Sequence, residues 1–300
     1  MKTKINIVEV GPRDGFQNIP EYIPAKLKLE IIDGLVAAGI KSMQITSFVS
    51  PKAIPQMQDS HELTEQCLDK YPDVDIFALV PNARGAQTAH ELGMKKVANV
   101  ISLSESHNLA NIKSTHEQSV EGLLKIKDSF PDMKVCVDIA TAFGCPFEGK
   151  PEIQKLLAFV HRINKLGFNT FNICDTIGVA NPAQVRETMK NLFAHFPNCE
   201  FQVHIHDTRN MGMANSLAAI ETGVRHVQTT LGGLGGCPFA PGASGNTATE
   251  DMVYMLTEMG YDTGTDFEKL LALAKYEQEV IPTGCYSGHH MNIHNKCAVQ

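Results

Sequence analysis

Between Ile5 and Met259, short β-branched runs alternate with stretches of helical periodicity about eight times, joined by short connections. This alternation constrains the fold more than any other feature. Strands separated by helices pair in parallel, because each helical crossover returns the chain to the same end of the sheet. The pattern predicts strands at 5–10, 42–47, 75–80, 96–103, 134–140, 170–174, 200–205 and 226–230. Helices are expected at 24–39, 56–68, 82–92, 115–130, 151–166, 182–196, 214–221 and 243–259, with one more at 267–279 outside the repeat. Gly39, Gly93, Gly167 and Gly223 stand where a helix stop belongs, and Pro24, Pro151 and Pro182 where a helix opens. An α/β chain of this pattern and length is expected to form a (β/α)8 TIM barrel with an additional C-terminal helical segment. A doubly wound open sheet shares the alternation, but no Gly-x-Gly-x-x-Gly follows the first strand. The simplest division is a single catalytic domain over 1–300, with the barrel at about 4–262 and an extension at about 263–300.

Composition closes off several function classes. With 43% hydrophobic and 20% charged residues, the chain has an ordinary globular balance and enough material for a large core. A net charge of -7 argues against a nucleic-acid partner. The N-terminus lacks an apolar signal core, and no apolar run reaches the length of a membrane span, so no membrane association is expected. The eight cysteines show no Cys-x-x-Cys spacing and read as reduced thiols of a cytoplasmic protein.

In a barrel the chemistry gathers at the C-terminal ends of the strands. His204 and His206 form a His-x-His pair on the seventh strand, where alternation puts both imidazoles on one face. The pair is open to two readings, core histidines or metal ligands. Other strand ends bring Arg13 and Asp14 (first), Ser102, Ser104 and Glu105 (fourth) and Asp175 (sixth) to the same mouth, and the loop after the eighth adds Cys237 and Asn246. Asp14, His204, His206 and Asn246 make an oxygen and nitrogen donor set without thiolate, which suits Mg2+ or Mn2+ better than structural Zn2+. Arg13, expected to point away from its neighbour Asp14, is a cation suited to an enolate oxygen. Cys237, between glycines and a proline, is a candidate proton donor or acceptor on a loop that can close over substrate. Asp207 falls on the opposite face from the histidines and reads as a helix-capping or supporting carboxylate.

Several stretches resemble the hydroxymethylglutaryl-CoA lyase family. They are Val8-Glu9-Val10-Gly11-Pro12-Arg13-Asp14-Gly15-Phe16-Gln17-Asn18, Thr46-Ser47-Phe48-Val49-Ser50-Pro51-Lys52, Ser102-x-Ser104-Glu105-x-His107-Asn108 and Gly144-Cys145-Pro146-Phe147-Glu148-Gly149. Asp175-Thr176-Ile177-Gly178-Val179, the His-x-His-Asp-Thr stretch and the run from Gly233 through Cys237 to Asn246 complete the likeness, and the last is the most specific. The resemblance implies metal-dependent cleavage of an acyl-CoA thioester. A 3-hydroxyacyl-CoA would lose its hydroxyl proton, break the bond between its α and β carbons and leave the enolate of a shorter acyl-CoA. It also implies Asp14, His204, His206 and Asn246 as metal ligands and Arg13, Cys237 and Asp175 as catalytic residues. Gln17, Ser47, Ser102, Glu105, Thr141 and Arg209 are the expected substrate contacts.

The chain leaves the family pattern in three places. Gln44 stands where the family usually has a glutamate, Arg209-Asn210-Met211 replaces a commoner Tyr-Gly-Gln, and Tyr286 to Asn292 replaces a basic segment. Arg209 is expected to border the mouth and meet a substrate carboxylate. The acyl group is thus open between 3-hydroxy-3-methylglutaryl and another branched 3-hydroxyacyl group of the citramalyl type. A Claisen-type synthase fits less well, since those chains carry long C-terminal extensions. The helix at 267–279 is expected to cap the barrel or to form the contact of a homodimer.

Overall fold

The computed structural model describes residues 2–236 and 245–293. Eight parallel strands close a barrel in chain order: β1 (Asn6–Glu9), β2 (Ser42–Ser47), β3 (Asp75–Leu79), β4 (Lys96–Ser102), β5 (Lys134–Ala140), β6 (Thr170–Asp175), β7 (Glu200–Ile205) and β8 (His226–Thr229). β1 pairs with β2 on one side and with β8 on the other, in the register Val8↔Ser42 and Val8↔Gln228. The helices are α1 (Ala25–Ala37), α2 (Ser60–Lys70), α3 (Ala83–Glu91), α4 (Glu105–Ile112), α5 (His116–Ser129), α6 (Ile153–Lys165), α7 (Pro182–His195), α8 (Gly212–Thr222), α9 (Thr249–Glu258) and α10 (Phe267–Val280). The barrel expected from the alternation is the one observed.

Local chemistry explains why these segments adopt these forms. β2 is buried at every position, as a strand covered on both faces must be. α6 buries Leu156, Phe159, Val160 and Ile163, one stripe at helical spacing, against the barrel wall. Thr115 and Gln118 close a capping box on α5, and Asn181 caps α7 just before Pro182. α10 lies along α1 so closely that a Cβ at Gly34 would sit 2.5 Å from Leu273. Among the described residues, no helix is long and apolar enough to cross a membrane.

Two segments differ from expectation. Residues 105–112, to which the sequence pattern assigns no element, form α4, because the Ser104 hydroxyl accepts a hydrogen bond from His107 N and Lys113 ends the helix in the left-handed region. The last barrel helix starts at Thr249 rather than at 243. Ahead of it Asn246 pairs with His206 and Ala248 with Thr230 as short β bridges, so this stretch is extended.

Inside the barrel the polarity is uneven. Val8, Val10, Phe77 and Ala98, from β1, β3 and β4, form a small apolar cluster. β5 to β8 instead turn Asp138, Asn172, His204 and Gln228 toward an internal cavity.

Candidate active site

The chain leaves β1 through a tight π-helical turn, Gly11–Gly15, in which Asp14 N donates to Val10 O at 2.7 Å. A helical turn does not alternate its side chains, so Arg13 and Asp14 lie side by side, and the expectation that they point apart is overturned. Arg13 Nη1 donates to Asp14 Oδ1, Arg13 Nε donates to Gln44 Oε1, and Gln17 Nε2 donates to Asp14 Oδ1 at 3.0 Å. Beneath the turn, Glu9 anchors it to the loop after β8. Its Oε1 accepts from Gly11 N (2.7 Å) and Leu231 N (3.1 Å), and its Oε2 from the Thr249 hydroxyl (2.6 Å). Burial pushes Glu9 up to about 7, against the pull of these donors.

His204 and His206 meet above β7 with their Nε2 atoms 2.9 Å apart. His204 Nδ1 lies 3.0 Å from Gln228 Oε1, an oxygen that accepts the Nδ1 proton and leaves the lone pair on Nε2, facing His206. Asp14 Oδ2 is 3.9 Å from His204 Nε2 and accepts from Asn246 Nδ2 at 2.8 Å. Asn246 is held there by the extended segment and by Gly245, whose φ is +77° and whose Cβ, if it had one, would lie 2.5 Å from the Gly235 backbone. The segment after α10 supports the same corner: Ser287 N and Gly288 N donate to Gly232 O at 3.0 and 2.9 Å, and the Ser287 hydroxyl to Asn246 O at 3.3 Å.

This group fits a cation. One ligand atom from each of Asp14, His204 and His206 lies within 4.8 Å of the others, and all three residues are buried. Asn246 Oδ1 and His206 Nδ1 are buried without a partner among the described residues. Burial, reinforced by the charge of His206, lowers His204 to about 3, and burial also lowers His206, so both imidazoles are neutral lone-pair donors at pH 7. Burial alone would raise Asp14, but Arg13 and the two histidines outweigh it and hold the carboxyl well below the usual range. Neutral imidazoles around a carboxylate are the protonation states that metal binding requires.

A cavity of about 460 Å³ opens beside the triad, lined among others by Arg13, Asp14, Gln17, His204 and His206. The other expected site residues fall in different places. Asp175 is fully buried, with its carboxylate oxygens accepting from Val179 N and Ala180 N at 3.0 Å each, so it shapes the loop after β6 beside His206. The Ser102 hydroxyl pairs with His107 Nδ1 at 2.7 Å and does not line the cavity. Ser47 is buried with its hydroxyl unpartnered among the described residues, and it is not among the residues that line the cavity. Thr141, at φ 56°, accepts from Ser104 N and ties the ends of β4 and β5 together. Glu105 is exposed on α4 and accepts from His116 N. Arg209 Nη1 donates to Ile177 O (2.9 Å) and Gly178 O (3.1 Å), outside the cavity lining. Cys237 lies outside the described residues. Asp207 accepts from Gly212 N at 2.5 Å and so caps α8.

Three polar residues of the cavity's strands escaped notice in the sequence: Asp138, Asn172 and Gln228. Each sits inside a strand rather than at its end. The signal that finds them is strand register, since Asp138↔Asn172 and His204↔Gln228 are cross-strand neighbours.

A sequence model of the HMGL-like family matches residues 4–276. The chain belongs to the HMGL-like family. It is 39% identical over 278 residues to the hydroxymethylglutaryl-CoA lyase of Bacillus subtilis, covering 92% of this chain and 93% of that one. It is 37% identical over 276 residues to the mitochondrial hydroxymethylglutaryl-CoA lyase of Homo sapiens, covering 91% and 84%. Among solved structures, an HMG-CoA lyase from A. baumannii, in complex with coenzyme A and 3-methylmalate, superposes with a TM-score of 0.91 at 36% identity, covering 99% of this chain and 97% of that one. These HMGL-like relatives match the barrel and nearly the whole chain, as the motifs imply.

Proposed function

We propose that this HMGL-like protein is a divalent-metal-dependent carbon–carbon lyase that cleaves 3-hydroxy-3-methylglutaryl-CoA to acetoacetate and acetyl-CoA. The observation that carries the reading is the buried Asp14–His204–His206 group, with Asn246 beside it, at the C-terminal mouth of a barrel of this family. Asp14, His204, His206 and Asn246 would hold the cation, Mg2+ or Mn2+, which supplies Lewis-acid polarisation and a point of chelation for substrate oxygens.

The protein's own groups account for the rest. The substrate hydroxyl on the β carbon gives up its proton to a base in the cavity. The α–β bond breaks, its electron pair becomes the enolate of acetyl-CoA, and the β carbon becomes the ketone of acetoacetate. Arg13, fixed by Gln44 and Asp14, presents its remaining N–H edge to the enolate oxygen. Cys237 returns a proton to the enolate carbon, completing acetyl-CoA. Asp175 keeps the loop after β6 in the shape that confines His206. Gln17, on the cavity wall, orients Asp14 and is the best supported of the expected substrate contacts. The tie between Arg209 and two backbone carbonyls gives no support to a different acyl group. The reading puts the enzyme in the cytoplasm, as a homodimer.

The test is release of acetyl-CoA and acetoacetate from the thioester with Mg2+ or Mn2+, before and after chelation. Turnover that survives complete chelation removes the metal from the reading, and no release under any metal removes the substrate.

A further inference from the structure

Among the described residues, the cavity is lined by one arginine, Arg13, and two acids, Asp14 and Asp138. Asp14 belongs to the proposed ligand set, and a cation bound there would draw on its charge. The contact on the other side of Arg13 is an amide: its Nε donates to Gln44 Oε1, which leaves Gln44 Nε2 fully buried without a partner among the described residues. A neutral acceptor fixes the guanidinium but does not balance it. The remaining counter-charge stands on β5. Asp138 is 3% exposed, accepts one hydrogen bond from Asn172 Nδ2 at 3.1 Å, and faces the same cavity. Asn172 is itself 1% exposed, and its Oδ1 has no partner. The only hydrogen bonds to Asp138 named among the described residues come from Asn172 and, weakly, from Cys136 Sγ at 3.8 Å, yet the charge of Arg13 acts on it across the cavity.

We propose that Asp138 is a positioning residue for the lyase reaction: the carboxylate that balances Arg13 across the cavity, held by Asn172, in a chain whose β2 offers Arg13 only an amide. A counter-charge across the cavity rather than beside the guanidinium leaves the cavity-facing edge of Arg13 open to a substrate oxyanion. Burial raises the Asp138 carboxyl to about 6 and Arg13 opposes that rise, so the group is ionised at neutral pH. The inference rests on the lyase reading for its catalytic meaning, but its electrostatic content can be tested without turnover.

The test moves the acid from one wall to the other. Gln44→Glu, Asp138→Asn and the double variant are compared with the wild type in kcat and KM for 3-hydroxy-3-methylglutaryl-CoA and in melting temperature without substrate. Asp138→Asn is expected to lower kcat about tenfold or more with little change in KM, as the loss of an interaction used in the transition state does. Gln44→Glu, which adds a second buried acid beside Arg13, is expected to lower the melting temperature by about 3 °C, a shift readily measured for a chain of this size. The double variant, with the wild-type charge restored, is expected to recover most of both losses. Losses in the double variant that equal the product of the two single effects on kcat and the sum of the two shifts in melting temperature overturn the proposal. So does an unchanged kcat in Asp138→Asn. If the wild type cleaves no thioester, the lyase reading fails by itself. The melting temperatures then decide whether residues 44 and 138 share one charge.

Discussion

The two ends of the cavity are built on different principles. At the triad end Asp14 and His204 are tied to other groups of the site, Asp14 to Arg13, Gln17 and Asn246 and His204 to Gln228 and His206, and the atoms left open among the described residues, Asn246 Oδ1 and His206 Nδ1, are of ligand type. On the inner wall, Asn172 Oδ1 and Gln228 Nε2 are buried with no partner among the described residues, as is Gln44 Nε2 next to Arg13. Buried polar groups left open are costly, and those that face the cavity are placed where a bound molecule could supply the missing hydrogen bonds. On the proposed reading, the first end would take the cation and the second the acyl group.

The largest effect that could break this contrast comes from His204→Ala. Removing a ligand from the metal end is expected to reduce turnover by about 10³-fold or more and to abolish tight Mn2+ binding, measured by electron paramagnetic resonance. Wild-type turnover in the variant would mean that the triad is merely a buried polar cluster. Gln228→Leu probes the residue shared by both ends. Its Oε1 sets the tautomer of His204 while its Nε2 is open. Losing such a partner typically weakens metal affinity or activity by about 10–100-fold. Mn2+ titration of this variant separates the two roles: an unchanged affinity with a raised KM would move Gln228 wholly to the acyl wall.

The metal end was legible in the sequence because its residues sit at strand ends or in turns, where spacing and residue type speak directly. Asp14, His204, His206 and Asn246 converge as expected. The inner wall was hidden because it depends on which face of a buried strand a residue takes. Asp138 lies inside an otherwise apolar run, Val135 to Ala140, where period-two alternation is weak because both faces are covered. The same limit explains Ser102. Its position at the end of β4 suggested a substrate contact, yet its hydroxyl turns to His107 and helps seat α4, a helix that the strand–helix alternation does not announce. The orientation of Arg13 was missed for a related reason, since no pattern in Gly11–Gly15 announces a π-helical turn.

Acidity sharpens the contrast further, because the two ends have opposite linkage. His204, near 6.5 when unfolded, is lowered by burial to about 3 in the fold. Between those values the unfolded chain binds more protons, so the stability contributed by neutral His204 is present above 6.5 and lost as the pH falls toward 3. Asp138 moves from 3.8 to about 6, again through burial. Here the folded state binds more protons, so the contribution is present below 3.8 and lost as the pH rises toward 6. Urea unfolding of the metal-free protein should therefore show His204→Asn gaining on the wild type as the pH falls and Asp138→Asn gaining as it rises. A change on the order of 3–5 kcal/mol is expected across each window. Difference curves of the same sign would show that the two ends do not differ in this way.

The smallest effect is expected at Arg209, outside both ends. Its guanidinium is part-exposed and donates to Ile177 O and Gly178 O, in the loop that Asp175 already fixes through Val179 N and Ala180 N. A part-exposed side chain tied to carbonyls that have other support contributes about 1 kcal/mol or less. Arg209→Ala should therefore lower stability by that amount and shift kcat/KM only a few-fold, through a looser loop beside His206. A carboxylate contact with substrate would behave differently: losing a charged hydrogen bond in a closed site raises KM by about 10-fold or more. Steady-state kinetics with the 3-hydroxy-3-methylglutaryl thioester distinguish the two. A large rise in KM would bring Arg209 into the cavity when substrate is bound and extend the acyl wall to the loop after β7. A small change leaves that wall to the strand residues Asp138, Asn172 and Gln228, which line the cavity, and of these Asn172 and Gln228 keep unpaired buried atoms.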